Sequence, residues 1–90
     1  MSGFLVTFGF QYGVEAHPVL GFMPELPKLV YWLEAEDELE ARRWLTEHLD
    51  NTYAFIYEDS EVDRVRLSQW YDMDMVADLK RIYLEVAKNG

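Results

Sequence analysis

The sequence contains no cysteine, which excludes disulfide bonds and cysteine-ligated zinc as means of holding the fold together. It also has no apolar run near the roughly 18 residues that a membrane-spanning helix needs. Residues 1–5 lack the basic segment and apolar stretch of a signal peptide. Ninety residues, half of them hydrophobic, are enough to form one domain with a core of its own. We therefore expect one soluble, cytoplasmic domain over residues 1–90.

Positive charge is also scarce. Eight lysines and arginines face seventeen acidic residues, so the formal net charge is −9. This exceeds the roughly 2–8 charges typical of a small soluble domain. The acids are bunched, with five of them among the seven residues 34–40 and four more in the segment 58–63. Such a chain is a poor direct ligand for nucleic acid, itself a polyanion, and a basic protein surface is the expected partner.

The first third of the chain predicts two strands separated by a loop. Residues 4–11 alternate between apolar and other side chains, with aromatic residues on one face, as in a strand with one buried face. Residues 11–27 hold all three prolines and two of the five glycines, which predicts a long loop. Residues 28–34 are apolar on both faces, which predicts a second strand covered on each side.

A helix should begin after Asp37, whose side chain suits the N-cap position. Apolar and aromatic residues then recur at steps of three and four and predict one buried stripe. The stripe consists of Ala41, Trp44, Leu45, His48 and Leu49. The pair Asp50-Asn51 should end this helix, and the alternation over residues 52–58 predicts a third strand.

The last third leaves one alternative open. The spacing of Ser60 and Asp63 favours a short helical turn within residues 60–71, whereas the alternation of Val65 and Leu67 with arginines favours an edge strand. A final helix should follow, capped by Asp72 or Asp74 and ending near residue 88. Its wide apolar stripe includes residues on a second side, which would suit contact with another subunit.

The element order β-β-α-β-α predicts the α+β class. We expect a single two-layer domain with a small three-stranded sheet and two helices packed on one face. The first strand is predicted to lie between the other two.

Residues 4–60 also contain a series of short motifs. These are Val6-Thr7-Phe8-Gly9-Phe10, His17-Pro18, Gly21, Tyr31, Ala35, Ala41-Arg42, and Tyr53-Ala54-Phe55 with Tyr57. In these motifs the chain resembles a small family of uncharacterised phage-encoded proteins. The resemblance implies a phage or mobile-element origin and a bacterial host cytoplasm, and it implies no activity or catalytic residue. The family has a glycine where the helix turns into the third strand, whereas this chain has Asp50-Asn51, and the C-terminal helix lies outside the pattern.

His17 is the residue with the strongest signal for chemistry, because it lies in a loop punctuated by glycine and proline. No Gly-x-Ser-x-Gly or paired-histidine motif accompanies it. Hydrogen bonding of its ring to the loop backbone is therefore the favoured interpretation over catalysis. The acidic run 58–63 lacks the glycine and the distant glutamate of an EF-hand, so a solvated loop is favoured over a cation site. We predict no metal and no cofactor.

The sequence thus predicts a non-catalytic interaction protein rather than an enzyme. With the implied phage origin, it would be an inhibitor that mimics nucleic acid, of the anti-CRISPR or anti-restriction type, and would bind a basic, nucleic-acid-handling host protein. Direct contact with nucleic acid or a membrane is not expected. The predicted partner-binding residues are Glu34, Glu36, Glu38, Glu58, Asp59, Glu61, Asp63, Trp70 and Tyr71, with His17 and Phe22 as loop candidates. The alternatives are a homodimer formed through the last helix and, less favoured, a small enzyme that uses His17.

Overall fold

The first strand lies in the interior of a four-stranded mixed sheet. A computed structural model describes residues 2–89, and it describes the side chains of all of these except residues 2, 74, 75 and 89. The elements in chain order are β1 (Ser2–Thr7), β2 (Leu29–Ala35), α1 (Glu38–Leu49), β3 (Phe55–Glu58), α2 (Arg64–Ser68), β4 (Asp72–Asp78) and α3 (Leu79–Asn89). Within residues 2–89, no helix combines the length and the apolar character needed to cross a membrane.

The strand order is β3-β1-β2-β4. β1 is antiparallel to both of its neighbours, and β4 is parallel to β2. The α+β class and the place of β1 between β2 and β3 are confirmed. The predicted three-stranded sheet is wrong, because β4 adds a fourth strand beside β2.

β4 occupies the segment that was predicted to begin the last helix, and α3 starts only at Leu79. The register between β2 and β4 shifts between Leu29 and Tyr31. Met73 and Val76 consequently pack into the same apolar cluster, although they are three residues apart. The wrong prediction arose because the apolar stripe of α3 continues at helical spacing back to residues 75 and 76 in the sequence. Asp78, rather than Asp72 or Asp74, caps α3, since its carboxylate accepts hydrogen bonds from the backbone N–H groups of residues 80 and 81.

One face of the sheet, here called the α1/α3 face, carries the main core. Side chains of β1 and β2 pack there against α1 and α3. The buried residues of this core are Phe4, Val6, Phe8, Leu20, Leu26, Tyr31, Leu33, Ala35, Ala41, Leu45, Leu49 and Leu79. The predicted stripe of α1 is confirmed, and so is its N-cap, because Asp37 accepts a hydrogen bond of 2.8 Å from the backbone N–H of Glu40.

The opposite face, here called the α2 face, has a smaller cluster in which Leu5, Val30 and Leu67 are buried. Helix α2 contributes Leu67, so the prediction that helices cover one face only is wrong. The predicted covering of β2 on both sides is confirmed. Of the two alternatives for residues 60–71, the short helix is correct and the edge strand is wrong, although the N-cap of the helix is Asp63 rather than Ser60. Asp63 begins this helix by accepting a hydrogen bond of 3.1 Å from the backbone N–H of Arg66.

The strand ends and the long loop differ from the prediction in detail. β1 ends at Thr7 rather than near residue 11, because a 3-10 turn at Phe10–Gly13 takes the chain out of the ladder. A second 3-10 turn, Leu26–Lys28, leads into β2. β3 begins at Phe55 rather than at residue 52, since the backbone N–H of Thr52 still bonds to the end of α1 at the Leu49 carbonyl.

Candidate functional site

Two of the acidic clusters meet at one end of the sheet. β1 begins where β2 and β3 end, and Gly3 pairs with Glu34 of β2. On the other side, the carbonyl oxygen of Gly3 accepts a hydrogen bond of 3.0 Å from the backbone N–H of Asp59. Neighbouring strands lie about 4.8 Å apart, so the backbones that carry Glu34 and Asp59 are separated by about 10 Å.

We call this end of the sheet the acidic edge and define it as Glu34, Glu36, Glu38, Glu58 and Asp59. Glu34 pairs with Gly3 and projects to the α2 face, whereas Glu58 pairs with Phe4 and projects to the α1/α3 face. Three of these carboxylates already have partners: Glu38 pairs with Arg42 at 3.2 Å, Asp59 with Arg64, and Glu58 accepts a hydrogen bond from Ser60. Within the described part of the chain, the carboxylates of Glu34 and Glu36 form neither a hydrogen bond nor an ion pair. The unpaired negative charge is therefore concentrated at the end of β2.

The absence of a side chain at Gly3 leaves room for an aromatic ring beside the acidic edge. A Cβ atom at this position would come within 1.6 Å of the Trp32 ring. The indole therefore lies directly over Gly3, on the α2 face. Because only glycine leaves room for it, the acidic edge adjoins an aromatic surface.

A groove of about 530 Å³ opens on the α2 face. Four aromatic residues line it, namely Phe10, Tyr57, Trp70 and Tyr71, and we call it the aromatic groove. Val62 and Leu67 add aliphatic surface. The side chains of Phe10 and Trp70 are 71% and 70% exposed, which is unusual for residues of this size and apolarity.

Charged residues complete the rim of the groove. Glu61, Asp63 and Arg66 line it beside the aromatic rings. Burial raises the pKa of the Tyr57 phenol, the nearby Tyr71 raises it further, and Arg66 opposes both effects. The phenol is therefore protonated at neutral pH and presents a neutral hydroxyl.

The predicted partner-binding residues thus fall into two adjoining groups. Glu61, Asp63, Trp70 and Tyr71 meet in the aromatic groove, and the other five form the acidic edge. The loop between β3 and α2 connects the two groups, because it runs from Asp59 to Asp63.

Sequence reasoning missed Phe10, Tyr57 and Arg66, which also line the groove. The alternation of residues 4–11 predicts Phe10 on the buried face of the first strand, although Gly9 directly before it already weakens that strand pattern. Tyr57 and Arg66 reach the groove only because β3 and α2 lie next to each other on the same face. No local pattern in the sequence predicts that contact between β3 and α2.

His17 is buried, and both of its ring nitrogens form hydrogen bonds within the protein. Its side chain is only 2% exposed. Nδ1 accepts hydrogen bonds from the backbone N–H groups of Val19 at 3.0 Å and Leu20 at 3.1 Å. The Thr52 hydroxyl donates to the Leu49 carbonyl, so its oxygen accepts the proton of His17 Nε2 at 2.5 Å. Nδ1 therefore holds the loop to itself, and Nε2 ties it to Thr52 after α1. Burial lowers the pKa of His17.

The backbone of the loop supports this arrangement. His17 and Gly21 exchange two backbone hydrogen bonds of 2.9 Å. Gly21 has a φ of +80°, which an L side chain rarely adopts, so glycine fits this turn. Phe22, the other loop candidate, is 61% exposed and remains accessible.

The apolar stripe of α3 serves mainly the interior of the protein. Leu79 is fully buried, and Ile82, Tyr83 and Val86 pack against the main core. Leu84, by contrast, is 64% exposed. The width of the stripe, which suggested a homodimer, is therefore largely used in packing α3 on the sheet.

Among the described side chains, no group of three or more histidine, aspartate or glutamate residues is arranged to hold a metal ion. Compared with known proteins, the chain matches no family model, no curated protein and no solved structure. The acidic edge and the aromatic groove are therefore the features of the molecule that bear on its function.

Proposed function

We propose that this protein is a non-catalytic interaction protein that binds a basic surface of a partner protein through its acidic edge. The observation that carries the proposal is the position of Glu34 and Asp59 on either side of Gly3. Acids that are 25 residues apart in sequence thereby become neighbours on one surface.

Charge is the physical basis of the proposed recognition. Bringing like charges together costs free energy in the free protein, and a basic partner removes that cost. Complementary charge also accelerates the encounter of the two proteins and disfavours acidic competitors. Such binding should weaken as salt is added, since exposed charges are screened over about 8 Å at physiological ionic strength.

The sharper form of the proposal is an inhibitor in which carboxylates take the place of phosphates. Its partner would be a host protein with a basic surface that handles nucleic acid, as in the anti-CRISPR or anti-restriction type. This form draws on the net charge of −9 and on the resemblance of residues 4–60 to phage-encoded proteins. A binding role is favoured over catalysis because both ring nitrogens of His17 are bonded to the chain itself.

The experiment is affinity capture from a bacterial lysate with three immobilised proteins. They are the wild type, an acidic-edge variant with Glu34→Gln, Glu36→Gln and Glu58→Gln, and a control variant that loses the same charge elsewhere. The control carries Glu15→Gln, Glu47→Gln and Glu85→Gln, at exposed positions outside the acidic edge.

We expect the wild type and the control to retain a partner that rising salt elutes and duplex DNA displaces. The acidic-edge variant should lose it. Retention of the same partner by all three proteins, unaffected by salt, would show that the acidic edge is not the binding surface.

A further inference from the structure

We propose that the aromatic groove receives an aromatic side chain from the basic partner. The preferred ligand is then a segment in which an aromatic residue is flanked by lysine or arginine. This inference rests on the proposed function, because it assumes that the partner is basic, and it adds the residue type that anchors the partner.

The groove has the size and surface of an anchor site. Its volume of about 530 Å³ is within the usual range for binding pockets, roughly 300–1,000 Å³. Phe10 and Trp70 leave most of their apolar surface in contact with water. Tryptophan and tyrosine in such positions contribute disproportionately to interface energy once a partner excludes the water.

The rim of the groove selects for positive charge beside the anchor. The segment from Glu58 to Arg66 contains four carboxylates and two guanidinium groups, so it is negative overall. Glu61 and Asp63 lie on the rim itself, and the same loop begins at the acidic edge. A basic residue next to the anchor would therefore meet carboxylates whether it lies over the rim or toward the acidic edge.

Charge also disfavours the other candidate occupants. A second copy of this chain carries the same net charge of −9 and would bring acids against acids. Anionic membrane surfaces attract basic protein segments, so the acidic rim makes them poor ligands. A basic segment of another protein that carries an aromatic residue is the occupant that complements both the negative charge of the rim and the aromatic rings of the groove.

Two defined peptides test the proposal: acetyl-Lys-Arg-Phe-Arg-Lys-amide and the same peptide with alanine in place of phenylalanine. Each carries a fluorescent label and is titrated with the full-length chain at low salt, with anisotropy as the readout. We expect the phenylalanine peptide to bind about tenfold more tightly, as burial of one aromatic side chain predicts.

Single-residue variants show which residues are responsible for the difference in affinity between the two peptides. Trp70→Ala and Phe10→Ala should each remove most of the preference for phenylalanine, and both positions are exposed enough for the fold to tolerate the change. Phe22→Ala is the matched control, because Phe22 is exposed but does not line the groove. The variant with Glu34→Gln, Glu36→Gln and Glu58→Gln should weaken binding of both peptides by the same factor.

The outcomes separate the two proposals. Equal affinity of the wild type for both peptides, or a preference that survives Trp70→Ala and Phe10→Ala, overturns the groove proposal and leaves the acidic edge intact. A preference for phenylalanine combined with binding that ignores salt and the acidic-edge variant overturns the proposed function and leaves the groove. If neither peptide binds, both are overturned.

Discussion

The two faces of the sheet are covered to different degrees. Among the described side chains, twelve buried residues form the cluster on the α1/α3 face, and three form the cluster on the α2 face. Helices α1 and α3 have 12 and 11 residues, whereas α2 has five. At a rise of about 1.5 Å per residue, α2 is only about 7.5 Å long and cannot cover the face on which it lies.

Because of this difference, the α1/α3 face contributes mainly to stability and the α2 face is the one available for binding. Large apolar residues on the α1/α3 face are removed from water and stabilise the fold. On the α2 face, Tyr57, Tyr71 and Trp70 remain half-buried or exposed beside a groove. The less covered face is therefore where a partner can gain the most from contact.

The largest expected effect comes from Leu45→Ala, since Leu45 is fully buried in the main cluster. We expect its free energy of unfolding in urea to fall by about 2–5 kcal/mol. Leu67→Ala is the matched change on the α2 face, and it should cost less, about 1–2 kcal/mol, because the site adjoins the groove and can relax. Equal losses would contradict the assignment of stability to one face.

The next effect concerns the hydrogen bonds of His17 to the loop and to Thr52. His17→Ala leaves the backbone N–H groups of Val19 and Leu20 without their acceptor. We expect a loss of about 2–4 kcal/mol in the free energy of unfolding, with the groove unaffected. Peptide affinity measured on the same variant should stay at the wild-type value. A selective loss of peptide binding by a stable His17→Ala protein would instead indicate a functional role for the ring.

The pH dependence of stability follows from the same ring. Burial lowers the pKa of His17 below its ordinary value of 6.5, so the unfolded chain takes up a proton more readily than the folded one. The stabilisation is complete above pH 6.5 and is lost as the pH falls from there through the lowered folded pKa. Urea denaturation of wild type and His17→Ala at several pH values should show the two stabilities converging in this window. Parallel curves would contradict the assignment.

A smaller effect is expected from Gly3→Ala on the α2 face. The added Cβ collides with the indole of Trp32, which must move out of its place. We expect a cost of about 1–3 kcal/mol in the free energy of unfolding. In a Trp32→Ala background the same change should cost little, and this double-mutant cycle isolates the contact. A full cost in both backgrounds would show that the indole is not the reason for glycine at this position.

The smallest effect on stability is expected from Trp70→Ala. Because this side chain is 70% exposed, the free energy of unfolding should change by no more than about 0.5 kcal/mol. The same variant should nevertheless bind the phenylalanine peptide about tenfold more weakly, as argued for the groove. Thermal unfolding and anisotropy titration on one preparation give both values. A marked loss of stability would mean that the α2 face contributes to the fold more than its burial suggests.

Local sequence patterns predict the elements whose signals are short-range. The cap at Asp37 and the stripe of α1 depend on residues within a turn or two of each other, and both are confirmed. Asp50 and Asn51, at the predicted end of α1, have φ values of 55° and 57°. These are left-handed conformations, which aspartate and asparagine tolerate better than most residues and glycine adopts most readily.

β4 shows where local patterns mislead. The irregular pairing with β2 puts Met73 and Val76 on one side, and no repeat within residues 72–78 reveals that irregularity. Strand pairing is decided by residues that are far apart in sequence, whereas period and capping are read over a few neighbours. The sequence therefore supports a helix that the tertiary structure replaces with a strand.

The sequence by itself determined the charge of this protein, the absence of cysteine and the identity of the acidic residues. Only the tertiary structure decided which acids are neighbours, because the register across Gly3 brings the ends of β2 and β3 together. It likewise decided that Phe10 and Tyr57 join Trp70 in one groove. Composition is a property of each residue alone, but a surface exists only after strands and helices have packed.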